Sequence, residues 1–594
     1  MSDGVRFRIP TSAFWAVLSF SSGGWQAAQA PAPESQKPVP HAQILRDYPE
    51  LVDITQSTGI HFEHISSPEQ KFIVESMSGG VALIDYDRDG FPDIYFTNAQ
   101  STEMALHGQK ARSALFHNNG DGTFTDVSDK AGVAFPCWAM GGAVGDYNND
   151  GWPDLLVTCL SGVVLYRNNE DGTFSDVTRE AGLAGDRMWA TGAAFGDYDN
   201  DGFADLFVSH YVEVDLAHLA AVGSSDTCKY LGIDVQCGPI GMKGSPDTLY
   251  HNNRDGRFTE VSKKAGVADG EHRYGLTAIW SDFDQDGNLD LFVTNDGQPN
   301  YLYQGNGKGS FEEVGFSSGV GLSESGARQA NMGIAIGDYL HTGRNSLVIS
   351  HFDNESAAFY RNDSAMDFSD ISLPSGVGRG TIGYVGWGDA FADFDNDGWK
   401  DLFIVNGHVY PQVDRIQSSL RYLEPKLLFL NQRNGSFKDI SKLAGPAIQI
   451  TQVSRGLAIG DLFNDGTLDA VVENLKGEPM ILRPKSGNQN HWASFQLEGV
   501  KCNRLALNAR VRVFAGDLVQ FDEVISGGSY LSQNDLRLHF GLGTHDMIDK
   551  VEITWPGGLK ENLTKLAADQ FYVVSQGKGV IKSEGINRKA PAFN

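Results

Sequence analysis

The chain lacks several things at once. No apolar run is long enough to span a bilayer: the longest, from Ile9 to Phe20, falls well short of the ~20 residues a spanning helix requires. There are 5 cysteines in 594 residues and no CxxC pair, which argues against a zinc knuckle or a thioredoxin-type dithiol. Cations are scarce. Lys+Arg number 47 against 75 Asp+Glu, a formal charge of −28, and such a balance argues against a nucleic-acid partner, which requires clustered Lys and Arg. HExxH is missing. Gly305-Asn-Gly-Lys-Gly-Ser310 resembles a scrap of phosphate loop, but its spacing is wrong and it stands where other repeats carry an Asp-Gly turn. Long helical patterns are also missing, whereas glycine is abundant at 69 residues. The combination predicts an all-β chain rich in turns, long enough to bury a large core and to form more than one domain.

What is present begins with an export signature. Arg6 and Arg8 precede the apolar run, and Ala28-Gln29-Ala30 is a cleavage pattern, so residues 1–30 read as a signal peptide. Residues 31–48, with Pro31, Pro33, Pro38 and Pro40, read as a proline-rich linker. The expected location is extracellular or periplasmic, with no transmembrane segment. In an exported chain Cys228 and Cys237, close together in a loop-like stretch, are expected to form a disulfide. Spacing leaves the pairing of Cys137, Cys159 and Cys502 open.

From residue 49 to 486 the chain is a set of internal repeats. Each has a Gly/Ala-rich apolar segment, a nine-residue acidic loop, a continuous apolar strand, a Leu-Tyr-x-Asn-Asn segment such as 249–253, and a turn leading into Phe-x-Asp-Val such as 174–177. The loops start at Asp85, Asp146, Asp197, Asp282, Asp338, Asp393 and Asp461. Four short strands per unit is the signature of a propeller blade, so seven units predict a seven-bladed β-propeller. The last unit lacks its Phe-x-Asp-Val strand. Leu51-Val-Asp-Ile54 at the front of the chain matches the missing piece and is expected to close the ring. Residues 491–580 change pattern to alternating strands and read as a separate small β-sandwich, followed by a disordered tail over 581–594.

Five loops are complete: Asp85, Asp87, Asp89, Asp93; Asp146, Asn148, Asp150, Asp154; Asp197, Asp199, Asp201, Asp205; Asp282, Asp284, Asp286, Asp290; and Asp393, Asp395, Asp397, Asp401. Hard oxygens at positions 1, 3, 5 and 9 around a glycine at 6 suit Ca²⁺, with the carbonyl of position 7 completing the shell. Clustered carboxylates repel one another unless a cation lies between them. About five structural Ca²⁺ ions are therefore expected. The loop at Asp338 has Leu340, Thr342 and Ser346 at positions 3, 5 and 9, and should hold no metal. The loop at Asp461 has Phe463 at position 3 and should bind weakly or not at all.

The repeats resemble FG-GAP/VCBS repeats of integrin-type propellers, the similarity carried by Phe195-Gly196 and the acidic loop after it. Residues 505–575 resemble the ASPIC/UnbV domain through Ala509-Arg-Val, Gly527-Gly-Ser-Tyr-Leu-Ser-Gln533, His539-Phe-Gly-Leu-Gly543 and Trp555-Pro-Gly-Gly558. The combination resembles the cartilage acidic protein family, and Asn406-Gly-His-Val-Tyr-Pro411 and Cys237-Gly-Pro239 look like it too. Leu507-Asn508-Ala509 departs from the Ile-Gly-Ala usual there. The resemblance implies a secreted calcium-binding propeller with adhesion or interaction roles and no established enzymatic activity. By the integrin-type analogy, the insertions at 210–247 and 407–426 emerge on the face opposite the acidic loops. They carry His210, Tyr211, Tyr230, His408, Tyr410 and Tyr422, and a protein or glycan ligand is expected there. The competing reading is an exported enzyme or accessory protein in polysaccharide or natural-product processing.

Overall fold

The computed structural model describes residues 48–67, 69–485 and 489–587. The signal peptide expected over 1–30 and nearly all of the linker expected over 31–48 lie outside these residues.

Seven four-stranded antiparallel sheets follow one another along the repeats. The first consists of Val81–Ile84, Asp93–Phe96, Ala114–Asn118 and Phe124–Asp126. The innermost strands of the next six are Ala139–Gly145, Ala190–Gly196, Gly275–Ser281, Ile334–Gly337, Gly386–Ala392 and Ser454–Gly460. We number the blades 1 to 7 in this order. The last sheet is completed from the front of the chain: Leu51 pairs with Pro484 and Asp53 with Leu482. Leu51 also donates its amide to Ala444 of blade 6 at 2.8 Å, so this strand ties two blades together.

One aromatic contact repeats around the ring. The residue at position 2 of the first five acidic loops packs on the phenylalanine of the outer strand of the next blade. Tyr86 meets Phe174 with ring centroids 5.9 Å apart, Tyr147 meets Phe258 at 6.0 Å, and Tyr198 meets Phe311 at 5.6 Å. Phe283–Phe368 and Tyr339–Phe437 continue the series at 5.9 and 5.6 Å. Blade 6 makes no such pair, because the closing strand 51–53 has no phenylalanine; in blade 7 the position-3 residue Phe463 takes the role and meets Phe124 of blade 1 at 6.4 Å. Offset aromatic pairs of this kind add to plain area burial, and they account for an aromatic at position 2 that metal binding would not require.

The C-terminal domain is a sandwich of two four-stranded sheets. One holds Leu538–Gly543, His491–Glu498, Gln570–Ser575 and Gly579–Glu584; the other holds Leu518–Glu523, Arg510–Ala515, Met547–Thr554 and Lys560–Ala567. Their inner faces share a core that includes Val511, Val551, Phe495 and Phe540. The tail expected to be disordered from 581 is ordered at its start. Residues 579–584 pair with the strand 570–575, and the Asn587 side chain donates to the Gly120 carbonyl at 3.0 Å. Lys560–Ala567 escaped the sequence pattern because most of its residues face solvent.

This domain is not a loose appendage. Its segment Gly527–Gln533 runs into the axis of the ring and bonds to the inner strands. Ser529 exchanges backbone hydrogen bonds with Ile334, each 2.9 Å, and Gln533 donates to Val81 at 2.9 Å and accepts from Leu83 at 3.0 Å. At its tip Tyr530, fully buried, donates to the Met77 carbonyl at 2.9 Å and stands edge-on to Trp387 at 4.7 Å. The inner strands have glycines where this plug passes: a Cβ on Gly80 or Gly141 would lie 2.1 or 2.3 Å from the Leu531 carbonyl oxygen.

Cys228 and Cys237 are joined, as are Cys137 and Cys159, a pair that spacing left open. Cys502 is a buried free thiol whose pKa burial pushes up to about 12.

Candidate metal centres

The loop Asp197–Asp205 serves as the pattern. Gly202 at position 6 has φ +92°, a conformation closed to ordinary side chains, and Asn200 at position 4 is also left-handed at φ +58°. These two reversals turn the chain tightly enough for Asp197 to reach back. Its Oδ2 accepts from the Gly202 amide at 2.9 Å and its Oδ1 from the Asp201 amide at 2.8 Å. Asp205 stitches the hairpin, accepting from the Tyr198 amide at 3.3 Å and the Asn252 amide at 2.7 Å. The same Asp-to-Gly bond forms in the two incomplete loops, from Gly343 to Asp338 at 2.6 Å and from Gly466 to Asp461 at 2.7 Å. The turn is therefore self-supporting, and its shape alone does not mark a cation site.

Convergence and burial separate the loops. Ligand atoms of Asp197, Asp199 and Asp205 lie within 4.8 Å of one another, as do those of Asp85, Asp87 and Asp89 and of Asp282, Asp284 and Asp290. Asp85, Asp87, Asp199 and Asp282 each have a buried Oδ1 with no hydrogen-bond partner among the described residues. Such an oxygen is costly to desolvate without a counter-charge. Burial, augmented by neighbouring carboxylates, raises the Asp85, Asp146 and Asp197 carboxyls to about 7 and Asp282 to about 6. The position-9 carboxyls Asp93 and Asp205 also rise to about 7, and Asp154 and Asp290 lie well above the usual range, burial again leading.

The remaining members are engaged differently. In blade 2, Asn148 donates to Asp150 at 2.6 Å, so positions 3 and 5 touch. Arg254 pairs with Asp201 and Arg433 with Asp397, each at 2.7 Å, balancing the position-5 charge from outside. In blade 6, Asp393 and Asp401 are nearly inaccessible, and Asp395 and Asp397 are buried as well. The Asp338 loop offers no carboxylate at position 3, 5 or 9. In the Asp461 loop Asp469 has one unbonded buried oxygen, but Arg483 pairs with Asp465 and lies 4.8 Å over the Phe463 ring. A guanidinium thus neutralises position 5 of this loop from the third strand of its own blade.

Three features escaped the sequence reading. Position 4 links neighbouring loops: Asn149 donates to the Gly202 carbonyl at 2.9 Å, Asn396 to Gly466 at 2.7 Å, and Asn464 of blade 7 to Gly90 of blade 1 at 2.9 Å. His117 and His251 project from the third strand toward the loops of blades 1 and 3, and each is held above the ordinary imidazole range, first by its hydrogen bond to Asp93 or Asp205. The C-terminal domain rests on this ring of loops. The Arg504 amide donates to Asn149 Oδ1 at 2.9 Å, Arg537 to Asn464 Oδ1 at 2.6 Å, Lys400 pairs with Asp522 at 2.6 Å, and Arg510 pairs with Asp282. Repeat-to-repeat alignment of positions 4 and of the residue before the third-strand Asn carried the signal for the first two; nothing local carried the third.

The two long insertions meet each other. Tyr230 donates to Asp353 at 2.6 Å and packs on His408 and Tyr410 at 5.8 and 5.4 Å. His210 and Tyr211 are fully buried, His210 beside Asp186 at 3.0 Å, so they support the fold rather than line a surface. Among exposed charged residues such as Asp215, Asp226 and Lys243, the first insertion leaves two large apolar side chains in solvent: Leu231 is 63% exposed and Ile240 68%.

Fold and loops define a propeller-type protein with FG-GAP-like repeats and a C-terminal ASPIC and UnbV domain. The FG-GAP-like repeat description matches residues 85–157, 146–208 and 282–349, and the ASPIC and UnbV description matches 499–581. The chain is a distant, partial relative of cartilage acidic protein 1: it is 28% identical to the Xenopus tropicalis protein over 285 residues, 45% of this chain and 40% of that one. For the Homo sapiens protein the identity is 26% over 280 residues, 45% and 39%. The match thus spans well under half the length of these relatives. Among solved structures, an Agrocybe aegerita lectin that recognises non-reducing terminal N-acetylglucosamine is 13% identical with a TM-score of 0.37, covering 76% of this chain and 95% of its own. YCF48 bound to D1 peptide is 8% identical with a TM-score of 0.37, covering 72% and 96%. Among the described residues no helix is long and apolar enough to cross a membrane.

Proposed function

We propose that the chain is an exported, non-catalytic interaction protein whose five complete loops hold Ca²⁺ as structural rivets and whose insertion face docks a protein or glycan. The observation that carries the metal reading is the set of buried, unbonded Oδ1 atoms on Asp85, Asp87, Asp199 and Asp282. The ions would be structural because the loops present ligands and no separate nucleophile or base. Export is supported by the two disulfides, by the leader pattern in the sequence and by the distant likeness to cartilage acidic protein 1.

Metal analysis of the purified protein should return about five divalent ions per chain, calcium foremost, and a chelator should lower the melting temperature by roughly 10 °C or more, as loss of a native-state ligand does. The chelated protein should also show a diagnostic pH response. Its buried carboxyls have pKa values raised to about 7 at Asp85, Asp146 and Asp197, against about 3.9 in the unfolded chain. Between those values the folded state binds more protons, so stability falls as pH rises through this window. Without calcium the protein should melt higher at pH 5 than at pH 8; with calcium, which protons displace, the trend should flatten or reverse. One ion or none per chain, or identical pH profiles with and without calcium, would refute the five-site reading.

The docking reading rests on the exposed apolar pair at the tips of the first insertion. A screen against glycans and extracellular proteins, repeated with Leu231→Ser/Ile240→Ser, should find a ligand whose binding drops at least tenfold in the variant while the melting temperature stays unchanged. A ligand bound equally by both would place recognition elsewhere.

A further inference from the structure

Two of the five complete loops face an imidazole that the loop pattern itself does not contain. His117 and His251 occupy the same place in blades 1 and 3. Ile94 stands opposite Phe116 and Leu206 opposite Tyr250, so the register sets each histidine across from the position-9 aspartate. His117 Nδ1 lies 3.1 Å from Asp93 Oδ1 and 3.4 Å from Asp87 Oδ2. His251 Nδ1 lies 3.2 Å from Asp205 Oδ1 and 3.5 Å from Asp199 Oδ2. The two rings are posed alike, because the position-2 tyrosine meets each edge-on, Tyr86 at 6.0 Å and Tyr198 at 6.2 Å. Asp87 and Asp199 each have a buried Oδ1 without a hydrogen-bond partner. The corresponding residues elsewhere offer no ligand nitrogen: Arg167, Gln304, Arg361, Leu430 and Arg483. In blade 4 Gln304 turns its amide to Asp284 at 2.7 Å, so the position does look into the loop.

We propose that blades 1 and 3 form mixed nitrogen–oxygen sites for a first-row divalent transition ion, bound by Nδ1 of His117 or His251 together with the carboxylates of positions 3 and 9, while blades 2, 4 and 6 keep all-oxygen sites. This rests on the reading of the loops as cation sites and specifies which ion two of them take. Imidazole is a borderline ligand that suits transition ions, whereas calcium is a hard cation bound by oxygen. Separations of 3.1–3.5 Å between the nitrogen and its two carboxylate oxygens are close to the roughly 3.0–3.4 Å between adjacent ligands around an ion with bonds of about 2.1 Å. Calcium bonds of about 2.3–2.6 Å spread ligands more widely or recruit more of them. The competing account makes each histidine an imidazolium that only neutralises two carboxylates.

Manganese separates the two accounts on the intact chain. The demetallated protein is equilibrated with Mn²⁺ in the presence of excess Ca²⁺, and electron spin-echo spectra and metal content are recorded. The expected result is two manganese ions per chain, both coupled to an imidazole nitrogen, with calcium in the remaining sites. His117→Gln/His251→Gln should retain its calcium and its melting temperature in calcium while binding manganese roughly 10–100-fold more weakly at those two sites. Bound manganese without nitrogen coupling, or sites that fill with calcium alone in the wild-type chain, would overturn the mixed-ligand proposal while leaving the loops as cation sites. A chain that takes up neither ion would overturn the loop reading itself.

Discussion

Deleting residues 50–59 is expected to open the ring and leave most of the protein insoluble or melting far below the intact chain. The strand at 51–53 contributes a fully buried Leu51, and Ile54 directly after it is only 6% exposed. Truncating either to alanine should cost about 2–5 kcal/mol by loss of transfer energy and creation of a cavity. The deletion also strips the backbone bonds from Leu51 to Ala444 and from Ile54 to Ile481, 2.8 and 3.0 Å, and the bond from the Ile481 amide to Thr55 Oγ1 at 2.8 Å. Met480–Pro484 would become an exposed edge, a template for pairing with other chains. Domains have margins of about 5–15 kcal/mol, so the sum reaches a large part of the total. Thermal melting and sedimentation of the deletion variant check this. A soluble monomer melting at the wild-type temperature would show that the ring closes without its first strand.

Gly141→Val is expected to be among the most damaging single substitutions in the propeller. A Cβ there lies 2.3 Å from the Leu531 carbonyl oxygen and 2.6 Å from the Leu531 Cβ. Neither neighbour can retreat easily. The Leu531 carbonyl accepts from the Gly142 amide at 3.2 Å, and the segment is held on both sides, by Ser529 bonded to Ile334 and Gln533 bonded to Val81. Overpacking commonly costs about 1–3 kcal/mol, and the upper end applies where backbone rather than a mobile side chain blocks the site. The plug as a whole should shift, exposing Trp387 and Tyr530 together. A loss of several degrees in melting temperature with a change in tryptophan emission is the expected pair of signals. Gly185→Ala, with no atom within 4 Å of the added carbon, is the control and should change neither. Equal behaviour of the two variants would mean that the axial segment is not tightly seated.

These two variants also mark where sequence reasoning ends. Ring closure was legible because it is a matter of repeats: the last unit lacks one strand and residues 51–54 supply its match. The acidic loops were legible for the same reason, since a glycine at position 6 and oxygens at alternate positions fix a local turn wherever they occur. Cys137 and Cys159 were not, because they come together only when the segment before blade 2 lies against the end of its second strand. The Gly/Ala-rich inner strands were visible as a pattern without a cause. Their cause is Gly527–Gln533, nearly 400 residues downstream of Gly141, and no local rule links the two. The tail was misread beyond 581 because its strand pairs with 570–575 at an exposed edge, where apolar alternation is weak.

His117 and His251 fall between these cases. Their spacing from the third-strand asparagine is a local feature of the sequence, but a histidine in a strand is usually a packing residue, and only the antiparallel register opposite Asp93 and Asp205 aims them into the loops.

By itself, then, the sequence determined what is local or repeated: strand number per unit, the loops, the closing strand and the candidate ligands. Tertiary structure alone decided which glycines make room for the axial plug, which arginine neutralises position 5 of the seventh loop, where the C-terminal sheets sit and which two loops gain a nitrogen. The physical reason is one of range. Turn geometry and strand alternation act over a few residues and repeat with them, whereas packing across the ring couples positions whose separation along the chain carries no period.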